Sequence, residues 1–332
     1  MDELLVKELN KKYGDIIKFG CTMPKQEFIP FSSPTLNYLA RGGVCENKMV
    51  EFYGTEGSAK TTLALDIIKN FQVKYPDKTV LYLDAENTLD EEWGNLLGVN
   101  WETVLLIKPE DEPGEVLLDM VVACVKSGDI GLVIIDSIPF LMSKQEFEND
   151  LDKKTYGGNS AMMTTFSRKV VPLLHSFSCT CICINQMRDV IGSMFPMKST
   201  PGGKMLRHAY VQRFYLQKGK YFDEKGRELT NSAEFPVGHK VQVKLEKNKV
   251  TKNDRKLATF SIDYSKGIDI LSDTIELATL LGVIDKRGAW FYVTYGGEDL
   301  KFQGKAKLTE ELERNKELRE YIIQETNKEA IL

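Results

Sequence analysis

The stretch from Gly54 to Thr62 reads GTEGSAKTT and stands between a short apolar run, Met49 to Tyr53, and an amphipathic segment that begins at Leu63. Strand, glycine-bearing loop and helix, in that order, turn a match to GxxxxGK[ST] into a physical proposal for a phosphate-binding loop. The backbone amides of Gly54, Thr55, Glu56, Gly57, Ser58 and Ala59, with the helix N-terminus behind them, would cradle phosphate oxygens. Lys60 would reach the outer phosphates and the Thr61 hydroxyl would ligate Mg²⁺, with Thr62 closing the motif. One position departs from the pattern: Ala59 stands where glycine is expected, and its methyl group costs conformational freedom that glycine would keep.

A nucleotide-hydrolysing site of this kind needs a carboxylate at the end of a neighbouring strand to hold the metal. Residues 131–136, GLVIID, place Asp136 at the C-terminal end of an apolar run, the edge where ligands of open α/β sheets collect. The plain alternative is an aspartate capping the next helix. Water must also be oriented or deprotonated, and Val80 to Glu86 ends a second run in Asp84-Ala85-Glu86, with Glu86 the candidate base. A third run ends at Asn185-Gln186, and the Gln186 amide could sense the terminal phosphate and relay it into the basic stretch that follows.

That stretch is an electrostatic anomaly. The chain carries a net charge of −4, yet Gln186 to Lys220 holds Arg188, Lys198, Lys204, Arg207, Arg213, Lys218 and Lys220 against Asp189 alone. A local cationic patch matters more than the total and points to a nucleic-acid partner.

The positioning elements follow from period and punctuation. Met49–Tyr53, Val80–Glu86, Val104–Ile107, Leu132–Asp136 and Cys181–Asn185 read as short, apolar, often β-branched strands with helix-length segments between them, the rhythm of a mainly parallel, helix-covered α/β sheet. Val211–Gln217, Lys240–Leu245 and Ala258–Tyr264 read as antiparallel strands with turns at Gly219, 223–226 and 252–254. Beyond about residue 268 a smaller α/β unit is expected: a helix over Ile275–Leu281, strands around Trp290–Tyr295 and one terminal helix over Thr309–Thr326. Residues 1 to about 20 read as a helix with Leu5, Leu9 and Ile16 or Ile17 on a contact face. The predicted division is 1–33, a helix/strand segment either packed on its own domain or lent to a neighbouring subunit; 34–267, the core; and 268–332, the small C-terminal domain. The six cysteines form no CxxC pair, and Cys179, Cys181 and Cys183 alternate as small residues on one buried strand face, which fits a reducing cytosol. The acidic N-terminus is unlike a signal peptide, and no apolar run reaches the roughly 20 residues of a membrane span.

Taken together, the chain resembles the RecA family of homologous-recombination ATPases over nearly its whole length. The resemblance is carried by 51–62 (EFYGTEGSAKTT), 83–90 (LDAENTLD) with 97–99 (LGV), 184–188 (INQMR) and 191–195 (IGSMF). It continues through Gly202-Gly203, 247–249 (KNK), 288–292 (GAWFY) and 303–306 (QGKA). It implies a RecA-like P-loop ATPase core, with ATP and Mg²⁺ bound by Lys60, Thr61 and Asp136, and Glu86 as catalytic carboxylate. It implies too that 1–33 is an oligomerisation segment. Asp90 and Trp93 fall where the family lines the adenine, Trp93 replacing a tyrosine, and Tyr264 falls at another adenine-contacting position. Lys247 and Lys249 match lysines that reach a neighbouring subunit's γ-phosphate; read from their own pattern alone, they are a solvated strand end.

The resemblance also implies two DNA-binding loops. The first, 150–162, contains Tyr156 (in place of a methionine), Gly157 and Gly158, with Arg168 on the helix beyond; Ala161 takes a position usually held by arginine. The second, 187–201, carries Arg188, Ile191, Gly192, Phe195 and Lys198 and ends at Gly202-Gly203, with Lys204 and Arg207 continuing the phosphate contacts. Ile191 matches a wedge between bases; ordinary packing is the alternative for Tyr156 and Phe195. The implied partners are single-stranded DNA, a homologous duplex, further copies in a helical filament, and single-strand-binding and loader proteins, in a bacterial or phage-infected cytoplasm without a membrane partner. Ala59 and the short end at Leu332 point to a phage- or plasmid-borne member. The rival functions are a DNA-binding filament that uses ATP as structural glue, and a ring-forming motor on the same core.

Overall fold

A computed structural model of the protein describes residues 3–14, 17, 25–150, 157–189, 198–224, 226–230 and 232–330. Tyr156, Ile191, Gly192 and Phe195 lie outside the described residues. Helix α1 (Glu3–Tyr13) is shorter than predicted, because Gly14 at φ 90° ends it and Asn10 turns back to pair with the backbone of Ile17. It keeps Leu5 and Tyr13 exposed. A two-residue strand pair, β1 (Phe28–Ile29) and β2 (Val44–Cys45), brackets α2 (Pro34–Ala40), which Ser33 caps through its side chain.

One nine-stranded sheet organises the core. Six of its strands are β3 (Met49–Gly54), β4 (Thr79–Asp84), β5 (Val104–Ile107), β6 (Ile130–Asp136), β7 (Thr180–Gln186) and, after the short pair β8 (Arg188–Asp189) and β9 (Lys198–Ser199), β10 (Gln212–Phe222). β11 (Gly238–Asn248), β12 (Leu257–Asp263) and β13 (Gly267–Ile268) complete it, in the order β13-β12-β11-β10-β3-β7-β6-β4-β5. The predicted strands over 104–107 and around 49, 132 and 181 are found nearly where the apolar runs put them. Each side of the sheet buries alternate residues. Val50, Phe52, Ile134 and Ile182 face α3 (Lys60–Lys74) in one core, and Leu81, Val133, Ile135 and Cys181 face α5 (Gly114–Ser127) and α7 (Gly158–Ser176) in the other. Cys179, Cys181 and Cys183 fill the second core as small apolar side chains. A sheet covered on both faces requires these continuous apolar strands.

Two local expectations are corrected and one is extended. The expected antiparallel run is found, β10 pairing with β11 and β11 with β12, and β10 also pairs parallel with β3, which joins that run to the parallel sheet. Gly219 lies inside β10 at a register shift between Lys218 and Tyr221; it is a bulge position, and the turn comes at 223–226, where the Gly226 amide donates to Asp223. The terminal helix is two helices, α10 (Lys305–Arg314) and α11 (Lys316–Ala330), because Asn315 leaves helical dihedrals and caps Leu318 with its side chain.

The C-terminal region has its own core of Ile275, Ile284, Phe291, Leu308, Leu318 and Ile322. It is built from α9 (Ile270–Leu280), the three-stranded sheet β14 (Asp285–Arg287), β15 (Trp290–Tyr295) and β16 (Glu298–Gln303), and the last two helices. Asp273 of α9 ties it to α2, accepting hydrogen bonds from the Ser33 and Thr35 hydroxyls and from the Thr35 amide at 3.1 Å. No described helix is long and apolar enough to cross a membrane.

Candidate active site

Parallel pairing aligns the strand ends. Gly54 stands opposite Gln186, and Asp84 opposite Asp136, so the C-terminal ends of β3, β7, β6 and β4 share one edge. Gly54 is required there by packing: a Cβ on it would lie 2.0 Å from the Leu216 carbonyl oxygen of β10. The loop then turns through Gly57 (φ 65°) and Ala59 (φ 67°, ψ 30°) before α3 begins at Lys60. The left-handed region costs a non-glycine residue about 1–2 kcal/mol. The sequence anomaly at Ala59 is therefore a conformational one. Ala59→Gly is expected to raise the unfolding free energy of the core by about 0.5–1 kcal/mol, the strain relieved less the extra chain entropy of glycine. A denaturant titration checks this; a lower midpoint in the variant would contradict it.

Within the loop, the Ser58 hydroxyl and the Lys60 ammonium both donate to the Thr55 carbonyl, at 2.7 and 2.8 Å. Lys60 is largely buried; burial pushes its pKa down, while Asp136, Glu86 and Glu56 push it up. The Thr61 hydroxyl donates to Asp136 Oδ2 at 2.8 Å, and Tyr82 donates to the same oxygen at 2.8 Å. Burial raises the Asp136 carboxyl to about 6 against those two hydrogen bonds, which favour its ionised form. A carboxylate and a hydroxyl in contact, both hard oxygen donors, at the N-terminus of a helix opened by a P-loop suit Mg²⁺ and phosphate. Asp136 also organises backbone: its carbonyl accepts from the Ala85 and Glu86 amides at 2.7 and 3.3 Å, and the peptide to Ser137 is cis.

Glu86 is half-buried beside this group. Its Oε1 accepts from the Ser137 hydroxyl and, at 3.3 Å, from the Gln186 side-chain amide. The predicted trio of Asp136, Glu86 and Gln186 is thus assembled. Asp84 is the buried member of its acidic pair, receiving the Thr88 and Leu89 amides at 3.3 and 3.1 Å. Ser137 and Tyr82 carry no motif of their own in the sequence; the pairing of β4 with β6 is what sets Tyr82 against Asp136 and Ser137 against Glu86.

On the outer side, Asp90 caps α4 (Glu91–Leu97) by accepting the Trp93 amide at 3.0 Å, and the Trp93 indole donates to Thr62 Oγ1 at 3.2 Å. Tyr264 is half-exposed just past β12 and shares a 2.9 Å hydrogen bond with His239, whose imidazole is pushed down to about 4 by burial and by Lys218. Gly267, three residues on, packs against Leu97 of α4, so the α4 end and the 264–267 turn meet. Lys218 reaches the P-loop: its Nζ lies 3.8 Å from where a Cβ on Gly57 would be and donates to Tyr221 at 2.7 Å.

Lys247 and Lys249 are elsewhere. β11 runs antiparallel to β10, so Asn248 pairs with Gln212, which is opposite Val50 at the far end of β3 from the P-loop. Lys247 donates to the Arg207 and His208 carbonyls at 2.6 and 3.3 Å, and Lys249 to His208 at 3.3 Å, capping α8 (Gly203–Ala209). Burial, with Lys249 and Arg213 nearby, pushes Lys247 down to about 8. Neither lysine is at the phosphate loop of its own chain.

The stems of the two predicted loops converge. Gly157, Gly158, Arg188, Pro201 and Gly202 line one cavity of about 390 Å³ with Phe140 and Met142. Gly157 (φ 79°) caps α7, so 158–162 is that helix's first turn and not loop; Ala161 is exposed there, and Arg168 is exposed two turns on. The second loop leaves β7 through the antiparallel pair β8–β9, which includes the Lys198 backbone, and closes at Gly202-Gly203, where Gly203 abuts Ser160 of α7. Lys204 is exposed and Arg207 half-buried. The seven basic residues do not act as one patch: Arg213 is paired with Glu51, Lys220 with Glu228, and Lys218 is at the P-loop.

A family model described as the RecA N-terminal domain matches residues 2–269, and one described as the RecA C-terminal domain matches 272–330. The chain is similar to Protein RecA of Chlorobaculum tepidum, 34% identical over 328 residues, covering 97% of this chain and 90% of that protein. It is likewise similar to Protein RecA of Thermus thermophilus, 33% identical over 326 residues, with 96% and 91% covered. Protein RecA of Mesoplasma florum is 35% identical over 275 residues, with 82% and 78% covered. The chain belongs to the RecA family of homologous-recombination ATPases.

Proposed function

We propose that this chain is an ATP-dependent DNA recombinase that polymerises on single-stranded DNA, pairs it with a homologous duplex and exchanges strands. The observation that carries the reading is the continuity of one strand: β7 ends at Gln186, which donates to Glu86, and two residues later the chain enters the β8 arm of the basic loop. A terminal phosphate beside Lys60 and a DNA strand on 187–201 would therefore bias the two ends of one short segment.

In this reading the P-loop amides and Lys60 bind the phosphates, and Asp90, Trp93 and Tyr264 border the base. Thr61 and Asp136 would hold Mg²⁺, partly through water, and the bound ion would supply positive charge against the outer phosphate oxygens. Glu86 takes a proton from the attacking water, and Gln186 reports the terminal phosphate. Lys247 and Lys249, remote from their own P-loop, act on a neighbour's nucleotide, which makes ATP a component of the subunit interface. Tyr156, Gly157, Gly158, Arg168, Arg188, Ile191, Gly192, Phe195, Lys198, Gly202, Gly203, Lys204 and Arg207 form the DNA-contacting set, combining phosphate neutralisation with base stacking. Residues 1–33, whose α1 keeps Leu5 and Tyr13 exposed, pack on the adjoining subunit; 34–267 is the ATPase and DNA-binding core and 268–332 the C-terminal domain. Single-strand-binding and loader proteins would assist in the cytoplasm. The family match over 272–330 favours this reading over a ring motor, and the Glu86–Gln186 contact favours hydrolysis over ATP as passive glue.

Nucleotide turnover measured with and without single-stranded DNA tests the proposal. Stimulation of tenfold or more is expected; near-zero turnover in both conditions would return the glue reading.

A further inference from the structure

Glu51 is a carboxylate in the middle of β3 with no exposed surface, three residues before the P-loop begins. Desolvating a charge there costs several kcal/mol, and an apolar residue of similar size would serve the core at least as well. Its partners suggest why a charge is kept. Arg213, directly opposite on β10, donates to Glu51 Oε2 at 2.5 Å, and Asn185, on β7 at the other side, donates to Oε1 at 2.9 Å. Burial pushes the Glu51 carboxyl up, while Arg213, Asn185 and Thr200 favour its ionised form.

Each partner also holds a second group. The Asn185 amide donates to the Pro201 carbonyl at 3.1 Å, and its oxygen accepts the Gln186 backbone amide at 3.0 Å. Arg213 extends to the Thr200 hydroxyl at 3.4 Å and lies over the Tyr53 ring at 4.5 Å. Tyr53 donates in turn to Glu246, next to Lys247. One buried carboxylate thus fastens the returning stem of the loop, Thr200-Pro201, to the residue that immediately precedes Gln186.

We propose that Glu51, through Arg213 and Asn185, is a positioning residue that couples the 187–201 loop to Gln186, so that a ligand on the loop sets the placement of the amide beside Glu86. The assignment rests on the reading of that loop as DNA-contacting. Glu51 touches neither nucleotide nor DNA. Its role is to hold Arg213 and Asn185 in place so that the loop stem and the end of β7 move as one body, because separating them would break the Arg213–Thr200 and Asn185–Pro201 hydrogen bonds.

The test uses the full chain with the substitutions Glu51→Gln and Arg213→Lys, and measures ATP turnover with and without single-stranded DNA. Glutamine keeps the shape and an acceptor but removes the charge; lysine keeps the charge but cannot fork between Glu51 and Thr200. Turnover without DNA is expected within twofold of the wild type in both variants, with the nucleotide KM unchanged and the DNA stimulation ratio reduced about tenfold. An unchanged ratio in folded variants would overturn the coupling while leaving the recombinase reading intact. Equal losses with and without DNA, or failure of both variants to fold, would assign the pair to stability alone and also overturn it. A wild-type chain that DNA does not stimulate would remove both this inference and the reading beneath it.

Discussion

Glu86→Gln is expected to slow ATP turnover by about two to four orders of magnitude, the usual worth of a positioned general base, while ATP-dependent assembly on DNA persists. The expectation follows from how the side chain is held. Ser137 and Gln186 both donate to Oε1, and no described residue donates to Oε2, which leaves that oxygen to receive a proton. An amide preserves the volume and can still accept from Ser137, so the phosphate-sensing contact is disturbed little, but it has no basic oxygen. Single-turnover kinetics paired with electron microscopy of filaments check both halves. Wild-type turnover in the variant would remove Glu86 from the chemistry; loss of assembly together with turnover would make it a structural residue.

Lys60→Ala is expected to weaken ATP binding by about a hundredfold to a thousandfold and to abolish DNA-dependent filament formation. Truncating one partner of a partly buried charge pair costs about 2–5 kcal/mol. The Lys60 ammonium is close enough to Asp136, Glu86 and Glu56 that each raises its pKa, and it is the P-loop's own cation. Removing it leaves three acids facing the phosphates without that counter-charge. Isothermal titration with a slowly hydrolysed ATP analogue gives the affinity. An affinity within tenfold of the wild type would shift the phosphate-binding role towards Lys218, whose ammonium also reaches Gly57 of the loop.

The sequence shows the parts of the site that depend on strand ends. Apolar runs closing in Asp136, Glu86 and Gln186 could be read because each run carries its own stop signal and parallel strands align their C-terminal ends. Ala59 stood out because the motif names the residue that a positive φ prefers. What stayed hidden depends on register between distant segments. Glu51 and Arg213 are 162 residues apart and become partners only because β10 joins β3 in parallel, a pairing that nothing in the local pattern of either strand announces. For the same reason the cationic stretch looked like one patch: charge counting cannot tell that Arg213 is neutralised from the next strand. The remoteness of Lys247 and Lys249 from their own P-loop is likewise a matter of strand direction. At the C-terminus, helical propensity runs almost unbroken from 305 to 330, and the break at Asn315 is made by one side chain capping Leu318.

The central claim is homology-dependent strand exchange driven by ATP. Its most direct test incubates the protein with circular single-stranded DNA, ATP and Mg²⁺, together with either a homologous or a heterologous linear duplex, and resolves joint molecules on a gel. Joint molecules are expected with the homologous duplex only, and only with ATP present. Their absence from a folded, DNA-bound preparation, or equal yields with the heterologous duplex, would contradict the account.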